Sequence, residues 1–231
     1  MLATLQETLA KLASLDQEVV AIAWLSLRVS VSAVLLGSCV GIPLGALVAV
    51  TAFPGRQAVI GLLNALMGLP PVIVGLVLYL LLSRSGPLGP FGLLFTPGAM
   101  IAAQTVLVAP LVAALSRQIL ADAEAHLGEQ LRSLRLPPVR RAAALVFDAR
   151  FSLVTVVLAA FGRAISEVGA VLVVGGNVAG QTRTMTTAIS LETQKGDLPL
   201  ALALGAVLIG LVIVLNAAAS LLRAYALRAY G

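Results

Sequence analysis

Arg163 and Glu167 are two charged residues in an otherwise apolar stretch, AFGRAISEVGAVLVVGGN at residues 160–177. A spacing of four places two side chains on the same face of a helix, within reach of each other. If one helix spans 152–175, Arg163 lies roughly 17 Å from its end, near the middle of a bilayer. An unpaired charge there costs at least ~2.5–3.5 kcal/mol, so we expect an ion pair that faces the protein interior or a water-filled path. A gating or structural pair and a direct contact with an anion both fit, but pairing cancels much of the charge that an anion needs.

A polar segment rich in threonine and glycine follows at residues 176–198. It offers amide, hydroxyl, guanidinium and backbone NH donors, which suit an oxyanion or the polar rim of a partner. A water-exposed loop is an equally good interpretation of this composition. The candidate residues for an anion path or for contact with a binding protein are Asn177, Thr182, Arg183 and Thr184.

Residues for metal or nucleotide chemistry are scarce. One His126 and one Cys39 cannot build a multi-histidine or multi-cysteine metal site, and the sequence contains no phosphate-binding loop of the form GxxxxGK followed by Ser or Thr. We therefore expect no metal, no nucleotide and no other cofactor on this chain. The net charge of +5 does not indicate nucleic acid, because the arginines flank apolar segments without interleaved aromatic residues.

The composition predicts an integral membrane protein. Of 231 residues, 60% are hydrophobic and 11% are charged, far from the average of soluble domains. Four charge-free runs each exceed the roughly 20 residues that cross the hydrocarbon layer, and a fifth is interrupted only by Arg163 and Glu167. Because backbone groups in lipid need internal hydrogen bonds, we predict five transmembrane helices in one all-α domain, 1–231. Their predicted positions are roughly 23–52, 59–82, 97–117, 152–175 and 199–222.

The distribution of basic residues predicts the orientation. With the N-terminus outside, nine arginines lie in cytoplasmic segments and four basic residues in outer ones, in agreement with the positive-inside rule. The 118–150 loop and the C-terminus are then cytoplasmic, and the 176–198 segment faces outward. Leucines in residues 1–22 recur at spacings of three and four, which predicts an amphipathic helix on the membrane surface or against the bundle. These are Leu2, Leu5, Leu9, Leu12 and Leu15.

Two proline pairs predict irregular helices: a bend inside the second span and a break in the 118–150 loop. Pro70 and Pro71, in GLPPVIVG, stand well inside the second span, where freed backbone groups favour a helix that lines a cavity or gate. Pro137 and Pro138 interrupt the 118–150 loop and suit the start of a new helix. We expect this loop to fold as helix, break and helix, with an apolar stripe that suits docking of a soluble partner.

Nearly the whole chain resembles the permease subunits of ABC-type importers, in the tungstate and molybdate branch. The resemblance rests on LSLRVSVSAVLLGSCVGIPLGALVA and on GLPPVIVGLVLYLLLSRSGPLG. For the tungstate-specific members it also rests on GRAISEVGAVLVVGGNVAGQTRTMTTAISLETQKGD. It implies the type I importer permease fold, with a cytoplasmic coupling helix.

The cytoplasmic signature of that family is present in a degenerate form. It reads Glu-Ala-Ala, three residues, Gly, nine residues and Ile-x-Leu-Pro. Its Glu corresponds to Glu129, its Gly to Arg135 and its final Pro to Asp148. The resemblance implies a coupling helix at about 129–142 that fits a groove on a cytoplasmic ATPase. The residues implied in this coupling are Glu129, Leu131, Leu134, Arg135, Leu136 and Asp148.

The function implied by the resemblance is inward transport of an oxyanion, most closely tungstate, across the cytoplasmic membrane. The implied assembly has two permease copies, two ATPase subunits that bind and hydrolyse the ATP, and an external oxyanion-binding protein. A molybdate or sulfate permease of the same fold is the nearest alternative. A small intramembrane enzyme that uses Arg163 and Glu167 is another, although the chain lacks paired carboxylates at a common depth. A self-contained secondary transporter is disfavoured because we find no internal repeat.

Overall fold

The structure is a computed structural model that describes the backbone of residues 17–230, and their side chains apart from Ala219 and 222–230. The predicted amphipathic helix over 1–22 falls mostly outside the described residues. All regular elements of the described part are helices. They are α1 Gln17–Val50, α2 Arg56–Leu66, α3 Pro71–Leu82, a 3-10 turn Gly89–Phe91, α4 Pro97–Ser133, α5 Pro138–Asp148, α6 Arg150–Ile165, α7 Gly169–Gly175, α8 Met185–Lys195 and α9 Leu198–Tyr230.

Three of these helices are long and apolar enough to cross a membrane: α1, α4, and α9 over Leu198–Ala218. Two pairs of shorter helices, α2 with α3 and α5 with α6, meet the same condition together and are bent at the break between them. The described residues therefore contain three spanning helices, or five if each bent pair is one span. The prediction of an all-α membrane fold with about five spans is confirmed.

The break predicted at Pro137 and Pro138 is present, and the predicted span 59–82 is divided into two helices at Pro70 and Pro71 instead of being only bent. α2 ends at Leu66, Pro70 precedes α3, and Pro71 is the first residue of α3. Pro137 and Pro138 hold the same two positions at the start of α5. Proline is tolerated there because the NH that it lacks has no partner in the first helical turn. The prolines start new helices instead of bending continuous ones.

Three predicted boundaries are wrong. The predicted span 152–175 is interrupted, because α6 ends at Ile165 and α7 begins at Gly169, after a buried glutamate whose side chain bonds to the start of α7. The predicted span 97–117 continues as α4 to Ser133, since helix-forming residues follow it without a proline or glycine pair. The polar segment 176–198 is not a loop throughout, because it contains α8, which hydroxyl groups cap.

The chain forms two compact units. Among the described residues, unit 1 comprises 17–32, 70–104 and 164–216, and unit 2 comprises 33–69, 105–163 and 217–230. Unit 1 has four basic and four acidic residues in these ranges, whereas unit 2 has ten basic and four acidic residues. The positive charge of the described chain is therefore concentrated in unit 2.

Within unit 2, α1 packs closely against α4 through a stripe of glycines. A methyl group at Gly37 would lie 2.8 Å from Val108 Cγ1, and one at Gly45 would lie 2.5 Å from the carbonyl oxygen of Ala113. Gly41 is equally crowded. Small residues allow such close approach, which strengthens van der Waals contact where lipid supplies no hydrophobic driving force.

Two arginines of unit 2 satisfy the free carbonyl groups at the C-terminal end of α1. Arg56 Nε donates to the carbonyl oxygen of Val48 at 2.9 Å, and its Nη2 donates to that of Ala49 at 3.2 Å. Arg141 Nη2, from α5, donates to the carbonyl oxygen of Val50 at 2.6 Å. Cations at a helix C-terminus are also favoured by the helix dipole.

Candidate functional site

The break between α6 and α7 contains Glu167, which is 4% exposed. Its Oε1 accepts a hydrogen bond from the Ala170 NH at 3.1 Å, and its backbone carbonyl accepts one from the Thr186 hydroxyl at 2.8 Å. A buried carboxylate is costly unless donors surround it, and NH groups at a helix start are natural donors. Glu167 thereby fixes the start of α7 and ties it to α8.

Arg163 lies in the last turn of α6 and Glu167 beyond its end. The predicted placement of both residues on one face of a single continuous helix is therefore wrong, because the helix that would carry that face stops at Ile165. Whether the two side chains pair with each other stays a prediction.

The helices that follow the two breaks of unit 1 pack against each other. A methyl group at Gly75 of α3 would lie 2.9 Å from Ala170 Cα in α7. One at Gly169 would lie 2.8 Å from Val72 Cγ2, one residue after Pro71. α3 and α7 thus touch almost backbone to backbone, at the points where each helix begins.

The start of α8 is built from buried threonine hydroxyl groups. The Thr184 NH donates to Thr187 Oγ1 at 3.0 Å, and the two hydroxyl oxygens lie 3.1 Å apart, which makes Thr184 the capping residue. The Met185 NH donates to Ser26 Oγ of α1 at 2.8 Å, and that hydroxyl donates to the carbonyl oxygen of Ile22. The NH groups of Thr184 and Met185 therefore bond to side chains of the protein.

The residues predicted for an anion path have different surroundings. Thr182 is buried, donates to the Gly175 carbonyl oxygen at 2.5 Å and accepts from the Val178 NH. Because Thr182 and Thr184 are buried and bonded, the interpretation as a water-exposed loop is wrong for both. The Arg183 side chain is 17% exposed, and its Nη1 lies 3.6 Å from Oε1 of Glu18.

Asn177 completes the predicted set and remains half-buried. Its Nδ2 donates to the Thr187 carbonyl oxygen at 3.4 Å, and its φ of 51° lies in the left-handed region that asparagine tolerates better than most residues. Asn177 and Arg183 are thus the two members of the set whose side chains keep access to solvent. The other two brace the turn before α8.

Gln104 is a polar residue that the sequence interpretation missed. It is 3% exposed in α4, and its Nε2 donates to the Ala164 carbonyl oxygen at 2.9 Å, beside the break after α6. Its Oε1 is buried without a partner among the described residues. The amide side chain of Gln104 stands out in the sequence because it lies inside a charge-free run, but only charged residues were considered as candidates there.

The turn between α4 and α5, in unit 2, carries most residues predicted for coupling. Arg135 has a φ of 53°. The Leu136 NH points to the Leu131 carbonyl oxygen at 3.5 Å, and the Arg135 NH donates to that of Arg132 at 2.9 Å. This pattern is a Schellman motif, in which the residue at the position of Arg135 is left-handed and usually glycine. The signature's glycine place thus keeps its backbone conformation with arginine in it.

The predicted coupling helix at about 129–142 is not a single helix, because the turn after Ser133 divides it between α4 and α5. The reason is the proline pair at 137–138, which ends one helix and starts the next. Leu134, in the turn, and Val139, at the start of α5, are each 68% exposed, and Phe147, near the end of α5, is 69% exposed. Glu129 and Asp148 are also exposed, whereas Leu131 and Leu136 are half-buried.

These features define a class of molecule: a multi-pass helical membrane protein whose helices break at buried polar residues and at prolines. More narrowly, the chain belongs to the family described as binding-protein-dependent transport system inner membrane component, which matches residues 41–229. The resemblance inferred from the sequence is confirmed at the level of the family.

Curated relatives include permeases from archaea and bacteria. The chain is 44% identical to a probable anion ABC transporter permease protein of Haloferax volcanii, over 86% of this chain and 88% of that protein. It is 39% identical to the tungstate uptake system permease protein of Peptoclostridium acidaminophilum, over 89% and 90% of the two chains. The corresponding protein of Campylobacter jejuni is 43% identical over 65% of this chain and 63% of its own length.

Permeases for two other oxyanions are less similar. The sulfate transport system permease protein of Escherichia coli is 29% identical over 78% of this chain, and its molybdenum transport system permease protein is 30% identical over 75%. All of these relatives are permeases, which are not enzymes themselves.

Proposed function

We propose that this chain is the permease of an ABC importer that carries tungstate inward across the cytoplasmic membrane. The observation that carries the proposal is its identity of 39% and 43% to two permeases named for tungstate uptake, against 29% and 30% for sulfate and molybdenum permeases. In the proposed assembly, two copies of the chain form the path, and ATP is hydrolysed on two separate subunits. An external binding protein delivers the anion.

Uptake by the reconstituted assembly tests this function. The chain, its ATPase and its binding protein should import tungstate only when ATP is present, and molybdate and sulfate should compete less well. Calorimetry on the binding protein with the same three anions separates its selectivity from that of the permease. Preferential uptake of sulfate would contradict the proposal.

The ATPase docks, we propose, on the turn between α4 and α5. Leu134 and Val139 expose apolar side chains there, and Phe147 exposes another near the end of α5. Exposed apolar surface of this kind favours a protein partner. Exposed arginines at positions 132, 135 and 140 surround them and suit a partner surface with acidic groups. The proposed contact set is Glu129, Leu131, Leu134, Arg135, Leu136 and Asp148.

Copurification of the ATPase tests this docking surface. Leu134→Asp should lose the ATPase, because it places a carboxylate in the apolar centre of the contact. His126→Asp is a matched control, since His126 is also exposed on α4 but lies two turns before the helix end. Copurification of the ATPase with the Leu134→Asp variant at the parent level would contradict the docking proposal.

The orientation follows from charge. Ten of the fourteen basic residues within 17–230 belong to unit 2, which contains the 118–150 segment. By the positive-inside rule this segment faces the cytoplasm, with the N-terminus outside and the C-terminus inside. In a Cys39→Ser background, an impermeant maleimide added to intact cells should label Ser85→Cys but not Ser133→Cys. The reverse labelling pattern would overturn this orientation.

The α3–α7 contact is the proposed moving part of the path. Each helix begins at a break, α3 at Pro70 and Pro71 and α7 after Glu167, so each can tilt without bending a continuous helix. Arg163 and Glu167 remain our proposed gating or structural ion pair. Arg163→Ala and Glu167→Ala should each abolish uptake, and the double variant should regain it. Intact transport in Glu167→Ala would show that the pair does not matter.

A further inference from the structure

A cavity of about 570 Å³ lies in unit 1 beside the segment that joins α3 to α4. Arg84 is the one charged residue that lines it. The remaining lining residues are hydroxyl-bearing, small or apolar: Tyr79, Leu82, Ser83, Gly89, Gly92, Leu94 and Phe95. None of these lining residues belongs to the sets proposed for the gate, the docking surface or the anion path.

The wall of the cavity is a closely packed turn. The Leu88 NH donates to the Leu81 carbonyl oxygen at 2.9 Å, which closes the segment onto the end of α3. A methyl group at Gly89 would lie 2.5 Å from the carbonyl oxygen of Ser83. Only glycine fits at that point, so the backbone of the wall has a defined path.

Phe95 fixes the opposite wall. Its φ of 60° is strained for a bulky residue, and the conformation persists because its neighbours hold it. The Phe95 NH donates to the Val174 carbonyl oxygen at 2.9 Å, and its ring stands edge-on to Tyr79 with 6.2 Å between centroids. A methyl group at Gly176 would lie 2.8 Å from the same ring. The cavity is therefore anchored to α3 and to the end of α7.

Arg84 differs from the other basic residues of the outward segments. Arg183 lies beside Glu18 and Lys195 beside Glu192, whereas Arg84 is exposed and forms no ion pair with any described residue. The Tyr79 hydroxyl likewise has no hydrogen-bond partner among the described residues. An uncompensated guanidinium beside the Tyr79 hydroxyl suits an oxyanion, because both groups can donate to its oxygens. The Ser83 hydroxyl already donates to the Leu80 carbonyl oxygen at 3.0 Å.

The geometry points to a transit site for a hydrated tetrahedral oxyanion in the Arg84 cavity. The volume corresponds to roughly twenty water molecules at about 30 Å³ each, so the ion keeps much of its hydration shell. One cation in a wet cavity attracts an anion without holding it tightly, which a transport path requires. The inference rests on the proposed function, since it makes the cavity an outer station for the transported anion.

Uptake kinetics of the complete assembly with tungstate provide the first test. Arg84→Gln should raise KM about tenfold with Vmax within about twofold, and Arg84→Lys should recover most of the loss. Arg28→Gln is the control, because Arg28 is also an exposed arginine of unit 1 but does not line the cavity. An unchanged KM in Arg84→Gln, or an equal rise in Arg28→Gln, would overturn the inference.

Protection of a cysteine provides a second test that requires neither ATPase nor binding protein. In a Cys39→Ser, Ser83→Cys background, tungstate and sulfate should slow modification by an anionic thiol reagent, and Arg84→Gln should remove this protection. Protection without ATP-driven uptake would keep the site and reject the proposed function. Uptake by the parent protein without any protection would keep the function and reject the site.

Discussion

The two units of the protein are stabilised in different ways. Nine of the ten buried polar or charged residues of the described chain belong to unit 1, and Ser116 is the one in unit 2. Unit 2 instead combines glycine contacts between α1 and α4 with hydrogen bonds from two arginines to the end of α1. Hydrogen bonds are directional, so unit 1 can fix helix ends at breaks. Close packing is not directional, so unit 2 can keep long helices together.

The comparison predicts the largest effect at the buried carboxylate of unit 1. Glu167→Ala leaves the Ala170 NH without its acceptor and loses a charge-assisted hydrogen bond, at a cost of about 3 kcal/mol. Thermal unfolding in detergent, followed by circular dichroism, should give a Tm lower by roughly 6–12 °C. Glu167→Gln keeps an acceptor at the same place and should recover most of the loss.

Glu129→Ala serves as the control for that prediction, because Glu129 is exposed on α4 and its carboxylate has no partner among the described residues. Its Tm should stay within about 1 °C of the parent, since exposed substitutions rarely exceed ~0.5 kcal/mol. Equal Tm values for Glu167→Ala and Glu129→Ala would mean that the buried network does not hold unit 1 together.

A smaller loss is expected in the glycine stripe of unit 2. The methyl group of Gly45→Ala would lie 2.5 Å from the Ala113 carbonyl oxygen and 2.8 Å from the Arg117 nitrogen, and neither backbone atom can yield. Overpacking of this kind costs about 2 kcal/mol, or roughly 4–8 °C in Tm. Gly61→Ala, in α2, meets nothing within 4 Å and should gain up to about 1 kcal/mol in helix propensity. If Gly45→Ala and Gly61→Ala both raised Tm, the result would contradict the close contact between α1 and α4.

The sequence predicted the features of both units that depend on local composition. Long charge-free runs predicted the spanning helices, and the proline pairs at 70–71 and 137–138 marked the two places where helices are interrupted. Proline has this local effect because its ring fixes φ and removes the backbone NH. The αL conformation at Arg135 was not predicted, because arginine stands where the family signature has glycine. The break at Glu167 was missed, since Ser-Glu-Val contains no helix-breaking residue.

The remaining features depend on residues far apart in the chain. Arg141 reaches the end of α1 across 91 sequence positions, and Ser26 caps α8 across 159. The hydrophobic periodicity of a sequence describes neighbouring residues and does not predict contacts over such separations. The helix α8 was interpreted as a loop because threonine and glycine favour turns, but here the threonine hydroxyl groups satisfy the helix end instead.

A moderate effect is expected where α5 meets α1. Arg141→Gln removes the hydrogen bond from α5 to the Val50 carbonyl oxygen. Arg56 still donates to the carbonyl oxygens of Val48 and Ala49. We expect a loss of about 1 kcal/mol, or roughly 2–4 °C in Tm, and less anion imported per ATP hydrolysed, since α5 carries part of the proposed docking surface. Arg140→Gln, next to it and exposed, should leave Tm unchanged, so Tm is the quantity that separates the two variants. Equal behaviour of the two variants would deny Arg141 a role in linking α5 to α1.

The smallest expected effect is a gain in unit 2, at the turn that ends α4. Arg135 adopts a φ of 53°, which costs a residue with a side chain about 1–2 kcal/mol relative to glycine. Arg135→Gly relieves this strain, but the more flexible unfolded chain offsets part of the gain. The net stabilisation should be about 0.5–1 kcal/mol, or roughly 1–4 °C in Tm. Arg140→Gly lies inside α5 and should lose about 1 kcal/mol, because glycine disfavours a helix interior. Opposite shifts would support a left-handed turn at Arg135, whereas equal losses would contradict the Schellman geometry. If Arg135→Gly raised Tm but weakened ATPase binding, the guanidinium itself would contribute to docking, and the arginine would be retained there at the expense of stability.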